Sequence, residues 1–138
     1  MKQKIYTFGT QRRKLEELVN LVDEYDAIVI DVRYAPYSRV PEWNQPDMRY
    51  ALGSGYYYSV CALGNVNYRQ HDAPIKLADP KAGIEIIRKV MEDFKSVILV
   101  CYEEAPADCH RSIVATLLSE ALGYPVEHLL RSKVTKEN

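Results

Sequence analysis

Reactive side chains cluster at residues 109–112, just before an apolar helical pattern. With Asp108 as the N-cap, the next three residues occupy the first helical turn, where unpaired N–H groups and the helix dipole favour an anion. Cys109 would ionise readily there, and the thiolate is the nucleophilic form of cysteine. The planar fork of Arg111 suits phosphate or carboxylate. The segment Cys109-His110-Arg111-Ser112 therefore predicts an anion site that could also act covalently.

The same segment has a purely structural interpretation. Cys109 can pack inertly, His110 can bond a loop carbonyl, and Arg111 can pair with Asp31 or Glu103. Networks of this kind also perturb charged groups in proteins where no chemistry takes place. The sequence leaves the choice between the two interpretations open.

Two further candidates end predicted strands. Cys101 closes an apolar strand, where its sulfur either packs in the core or forms a reversible disulfide with Cys109. Asp31 ends another strand and is either half of an ion pair with Arg33 or a general acid/base. Cys61 is interpreted as structural. No metal or other cofactor is predicted, because the Cys101-x7-Cys109 spacing lacks the short ligand pair of zinc sites.

An arginine-rich aromatic loop offers a different function. Aromatic faces stack on bases and arginines pair with phosphates, so residues 33–50 could bind nucleotide or single-stranded nucleic acid without any chemistry. Alternatively the rings cover the core, because the eleven tyrosines of the chain must pack somewhere. The interleaved side chains are Arg33, Tyr34, Tyr37, Arg39, Trp43, Arg49 and Tyr50.

The apolar patterns alternate between strand and helix. Strands are predicted at residues 5–8, 27–30, 56–61, 97–102 and 126–130, and the main helices at 12–25, after Asp79-Pro80, and at 109–122. One helical turn is expected within 46–52. This order predicts an α/β fold with an open, mainly parallel sheet of about five strands and helices on both faces. Ligands of such sheets bind beyond the carboxyl ends of the strands, where Gly9, Thr10, Asp31, Arg33 and Cys101 fall.

Length and composition predict one compact domain. The 138 residues match a typical domain, which we place at 1–130, with a frayed tail at 131–138. Hydrophobic residues make up 47% and charged residues 27%, unlike a disordered chain. A net charge of −1 does not favour nucleic acid. No segment resembles a membrane span or a signal peptide, so a cytoplasmic location is expected.

Several motifs together resemble one family. They are Thr7-Phe8-Gly9-Thr10, Asp31-Val32-Arg33, Pro36-x-Ser38-Arg39, Leu63-Gly64, and Cys101 followed by Pro106-x-x-Cys109-His110-Arg111-Ser112. With these motifs the chain resembles the domain-of-unknown-function 488 family over nearly its whole length. The resemblance implies a small cytoplasmic α/β domain and supplies no reaction. Asn65 stands where many relatives have a second glycine.

A looser similarity links Cys101 and the arginine-serine pair to the cysteine phosphatase loop. Cys101 lies ten positions before Arg111, which is longer than the usual separation and argues against a nucleophile of that type.

The leading hypothesis is an enzyme acting on a phosphate-bearing small molecule. Cys109 would be the nucleophilic or redox thiol, His110 the proton carrier, and Asp31 an orienting carboxylate. The ligand would be held by Gly9, Thr10, Arg33, Arg39, Cys101, Arg111 and Ser112. The competing classes are the binding module of residues 33–50 and a scaffold protein with inert thiols.

Overall fold

The computed structural model describes residues 2–70, 72–103 and 110–130, which contain five strands and four α-helices. The strands are β1 (Ile5–Gly9), β2 (Ala27–Asp31), β3 (Tyr57–Ser59), β4 (Ser96–Cys101) and β5 (Val126–His128). The helices are α1 (Leu15–Tyr25), α2 (Gln45–Leu52), α3 (Pro80–Met91) and α4 (His110–Leu122). Short 3₁₀ turns occupy Pro41–Trp43 and Cys61–Leu63. None of the helices in these ranges is long and apolar enough to cross a membrane.

The five strands form one parallel sheet in the order β3-β2-β4-β1-β5, which confirms the predicted fold class. The chain passes from β1 over β4 to β2 and β3, then returns to β4 and crosses β1 to reach β5. Its direction across the sheet therefore reverses between β1 and β4, whose last residues, Gly9 and Cys101, are register partners. Such a reversal opens a crevice at the carboxyl edge of a parallel sheet.

Helices cover both faces of the sheet, as predicted. One core joins the sheet to α3 and α4 through Ile87 and Leu118, and the other joins it to α1 and α2 through Leu18 and Met48. Every residue of β2 and β4 is buried, since each strand lies between two cores. This double burial explains their continuous apolar sequences.

The start of α3 follows the predicted pattern, whereas α1 begins later than expected. Asp79 Oδ1 accepts a hydrogen bond from the backbone of Ala82 and caps α3. Arg12 has a left-handed φ of 61°, and α1 begins only at Leu15, later than the predicted start at residue 12. The amides of residues 10 and 11 instead donate to the carbonyls of residues 101 and 102, extending the β1–β4 pairing.

Two strands are shorter than predicted. β3 ends at Ser59, and Cys61 is exposed in a 3₁₀ turn instead of lying in a strand. The amide of Val60 still donates to the carbonyl of Asp31, and the turn then forms through the amides of Leu63 and Gly64, which donate to the carbonyls of Val60 and Cys61. β5 ends at His128. The predicted cap Asp108, Cys109 and the tail 131–138 lie outside the described residues.

Candidate functional site at the carboxyl edge of the sheet

A pocket of about 390 Å³ opens at the carboxyl edge, beside the ends of β2 and β4. This volume lies within the range of small-molecule sites. Its wall combines strand-end residues with residues from the irregular connection that follows β3. The lining residues are Arg33, Tyr34, Ala35, Tyr37, Asn65, Asn67, Tyr68, Gln70, Ala73, Ile75, Cys101, Tyr102, Glu103 and His110.

Cys101 and His110 meet in this wall. Cys101 ends β4 and His110 is the first described residue of α4, which places Sγ 3.4 Å from Nδ1. The other ring nitrogen, Nε2, lies 2.8 Å from the carbonyl oxygen of Val32. Since a carbonyl can only accept, Nε2 carries the hydrogen in this contact. In the neutral ring Nδ1 is then the acceptor that faces the thiol, which is the geometry of a nucleophile and its base.

Arg33 is held by a buried carboxylate at the end of β2. Its Nε and Nη2 lie 2.8 and 2.7 Å from the two oxygens of Asp31, a bidentate ion pair. Burial lowers the pKa of Arg33, but the hydrogen bonds and charge of Asp31 outweigh it and hold that pKa above its ordinary value.

The hydroxyl of Tyr57 on β3 also donates to Asp31, at 2.6 Å. Burial, together with the charge of Asp31, raises the pKa of Tyr57, so its hydroxyl stays protonated and acts as a donor. Two successive interactions therefore hold the arginine in place: Tyr57 orients the carboxylate of Asp31, and this carboxylate orients the guanidinium of Arg33.

The outer wall is a loop packed tightly against the segment after β2. An ideal Cβ on Gly64 would lie 2.5 Å from Cα of Tyr34, so only glycine allows these two segments to touch. This contact brings the ring centroids of Tyr34 and Tyr68 to 6.0 Å at an interplanar angle of 47°. The loop is closed by an isolated antiparallel bridge between Asn65 and Leu77.

The family model for the domain of unknown function DUF488 matches residues 14–118. The chain belongs to this family. The match includes β2, β4, the connection that follows β3 and the first turns of α4, and so contains the whole pocket wall. No curated protein and no solved structure matches the chain.

Three of the predicted site residues come together in the pocket of this DUF488 protein: Arg33, Cys101 and His110. Asp31 is completely buried behind Arg33, in the ion pair that was one of its two interpretations. Other predicted ligand residues lie in the structure without lining this pocket, namely Gly9, Thr10, Arg39, Arg111 and Ser112. The role of Cys109 stays a prediction, because that residue is outside the described ranges.

Arg111, predicted to hold the ligand, does not line this pocket. It is fully buried, and its Nη1 donates to the backbone carbonyl of Glu103. The helix carries its side chain inward, where it fastens the segment that follows β4. This arrangement corresponds to the structural interpretation of Arg111, although the partner on Glu103 is the backbone and not the carboxylate.

The aromatic loop of this DUF488 protein does not form one continuous surface. Trp43 is 2% exposed, packs its ring 5.9 Å from that of Phe8 and donates Nε1 to the carbonyl of Arg13. Tyr34 and Tyr37 line the pocket, whereas Tyr50 on α2 is almost fully exposed elsewhere. Trp43 therefore agrees with the alternative interpretation, in which the rings of this loop cover the core.

The connection after β3 contributes residues that were not predicted for the site. Asn65, Asn67 and Tyr68 line the pocket, and Tyr57 supports Asp31. A signal was available, because a long irregular connection rich in polar and aromatic residues is more often functional than a short one. In the described parts of the chain no group of three or more His, Cys, Asp or Glu residues could hold a metal ion.

Proposed function

We propose that this DUF488 protein is an enzyme that transfers the phosphoryl group of a small phosphate monoester, with Cys101 as nucleophile and His110 as its base. The observation that carries the proposal is the 3.4 Å contact between Cys101 Sγ and His110 Nδ1 in the wall of the pocket. A buried cysteine needs no histidine for packing. A histidine whose second nitrogen is held by a carbonyl is the usual companion of a catalytic thiol.

The proposed reaction balances its protons through one ring nitrogen. The thiol proton of Cys101 passes to Nδ1 of His110, while the Val32 carbonyl holds Nε2–H and stabilises the imidazolium. The thiolate attacks phosphorus, the ester oxygen leaves with the proton from Nδ1, and a thiophosphate forms on Cys101. Water then attacks this phosphorus, gives one proton to Nδ1 and releases inorganic phosphate. The thiolate finally recovers the proton from Nδ1.

Arg33 supplies the anion contact in this proposal. Two of its nitrogens bind Asp31, whereas Nη1 makes no hydrogen bond within the described ranges, and the residue lines the pocket. Nη1 is therefore the donor available to a phosphate oxygen. Arg111 has no part, because its buried side chain is bound to the Glu103 carbonyl.

Trapping the thiophosphate tests the proposal. The protein is incubated with a mixture of phosphate monoesters, quenched, and mapped by mass spectrometry for a phosphoryl group on cysteine. We expect the adduct on Cys101, its loss in Cys101→Ser, and at least a hundredfold slower formation in His110→Gln. Cys61→Ser is the matched control, because Cys61 is the exposed cysteine of the 3₁₀ turn and does not line the pocket.

Three results would contradict the assignment in different ways. An adduct on Cys109 would make Cys109 the nucleophile, as the sequence predicts. Binding of a monoester with no adduct and no turnover would make the protein a binding module. Equal rates in wild type and His110→Gln would remove His110 as the base.

A further inference from the structure

We propose that the phosphate ester bound in this pocket is a nucleotide, a nucleoside monophosphate whose base lies against Tyr34 and Tyr68. This inference rests on the proposed function, since it takes the pocket and Arg33 as the phosphate end of the site. It adds the part of the ligand that is not phosphate. Its support comes from the tyrosines and asparagines that line the pocket and that the proposed reaction does not use.

The pocket has an unusual share of tyrosine. Four of its lining residues are Tyr34, Tyr37, Tyr68 and Tyr102, and all four keep between 41 and 73% of their surface exposed. Large aromatic side chains gathered around one pocket and left exposed indicate a ligand surface and not core packing. Any of the planar nucleobases can stack on such a ring, because each of them has a π-face.

Tyr34 is held in place by the chain itself. The backbone of Tyr34 is in close contact with Gly64, and Tyr34 follows Arg33 in the chain, so two neighbouring residues place an aromatic ring and a guanidinium in the same pocket. The ring of Tyr68 stands beside it with a tilt of 47°, and Arg69 lies 5.4 Å from the Tyr68 ring centroid. A nucleoside monophosphate carries a planar base and a phosphate at two ends of one ribose, and this pocket offers tyrosine rings for the first and an arginine for the second.

Two asparagines add a hydrogen-bonding edge. Asn65 Oδ1 accepts from the amides of Asn67 and Lys76, and Asn67 Nδ2 donates to the carbonyl of Pro74. These bonds fix both side chains and leave Asn65 Nδ2 as a donor and Asn67 Oδ1 as an acceptor with no partner in the described parts of the chain. Both residues line the pocket. One donor beside one acceptor is the pattern that reads the edge of a base.

Calorimetric titration with matched probes tests this inference. Inorganic phosphate, ribose 5-phosphate and the four common nucleoside monophosphates are titrated into the Cys101→Ser variant, which cannot turn them over. We expect at least one nucleotide to bind about 5- to 150-fold more tightly than ribose 5-phosphate. The Tyr34→Leu/Tyr68→Leu variant should lose that difference and keep its affinity for ribose 5-phosphate.

Two control variants separate the parts of the site. Tyr50→Leu removes an exposed tyrosine outside the pocket and should change no affinity. Arg33→Lys keeps the charge beside Asp31 but loses the fork, and should weaken all three kinds of probe alike. Circular dichroism of every variant shows whether it is folded. If the double variant is unfolded, Tyr68→Leu alone takes its place.

The outcomes distinguish the two proposals. Equal affinity for nucleotides and ribose 5-phosphate, both weakened by Arg33→Lys, would overturn the nucleotide inference and leave the phosphate site standing. Absence of binding by every probe, or binding indifferent to Arg33→Lys, would overturn both. A nucleotide preference that survives in the tyrosine variant would overturn the placement of the base.

Discussion

The two halves of the carboxyl edge use a buried arginine in different ways. Beside β1 and β5, Arg13 lies 3.9 Å from the Phe8 ring centroid and donates to the carbonyl of Leu129, so the guanidinium links the segment before α1 to the residue after β5. Beside β2 and β4, Arg33 is bound to a buried carboxylate and faces the pocket. Both arginines contact a carboxylate, Glu17 for Arg13 and Asp31 for Arg33, but of the two only Arg33 lines the pocket.

The largest expected effect is a difference in the free energy of unfolding between substitutions of these two arginines. Arg33→Met should lower the free energy of unfolding by about 3–5 kcal/mol, because the Asp31 carboxylate stays buried without its cation. Arg13→Met should cost about 1–3 kcal/mol, because it orphans a carbonyl and its ion partner Glu17 is partly exposed. Urea unfolding measures both. The variant Arg33→Met/Asp31→Leu should recover most of the first loss, and equal costs for the two arginines would end the comparison.

The next effect concerns the support of Asp31. Tyr57→Phe should cost about 1.5–3 kcal/mol in urea unfolding, since it removes a hydrogen bond to a buried charged group. Tyr58→Phe on the same strand is the matched control, and its half-exposed ring should cost within about 0.5 kcal/mol. If both substitutions cost the same, Tyr57 does not hold the carboxylate.

A smaller effect tests the outer wall of the pocket. Gly64→Ala should cost about 1–3 kcal/mol, because the new methyl group meets the backbone of Tyr34. Gly83→Ala crowds the side chain of Leu63 instead and gains helix propensity, so its loss should be smaller. Urea unfolding measures stability, and alkylation of Cys101 by iodoacetamide reports on the pocket. Only Gly64→Ala should change that alkylation rate. An unchanged rate would show that the contact at Gly64 does not shape the pocket around Cys101.

The smallest effect concerns His128 at the end of β5, in the half of the edge beside β1 and β5. Burial, with the nearby positive charge of Arg111, lowers the pKa of His128 below its ordinary value of 6.5. The folded protein therefore binds fewer protons than the unfolded chain, so this stabilisation is present above pH 6.5 and is lost as pH falls below it. His128 is exposed, which keeps the effect small.

The urea midpoint of the wild type should therefore decrease between pH 7.5 and pH 5. His128→Gln removes the titrating ring and can keep a hydrogen bond to the Thr7 hydroxyl. Its midpoint should decrease less over the same range. An identical decrease in both proteins would show that another group is responsible.

The elements of this fold were largely predictable, and the site only in part. Residues 27–30 and 97–101 carry enough apolar residues to be recognised as central strands, and Asp79-Pro80 marks a helix start by its own chemistry. Arg33 and Cys101 were predicted as site residues because they lie at strand ends, and His110 because it lies in the first turn of a helix. Tyr68 and Asn67 were not, because their distance from Arg33 depends on how a long connection folds back.

Local chemistry in the sequence by itself determined the strands, the helices and the edge at which reactive groups gather, since side-chain period and capping act over a few residues. Only the tertiary structure decided which groups meet. It turned Arg111 inward to a carbonyl, buried Trp43 and placed the thiol of Cys101 beside His110. Such contacts join segments that the strand order and the close approach at Gly64 bring together. The strand order and this approach both depend on residues far apart in the chain, so the spacing of neighbouring residues does not predict them.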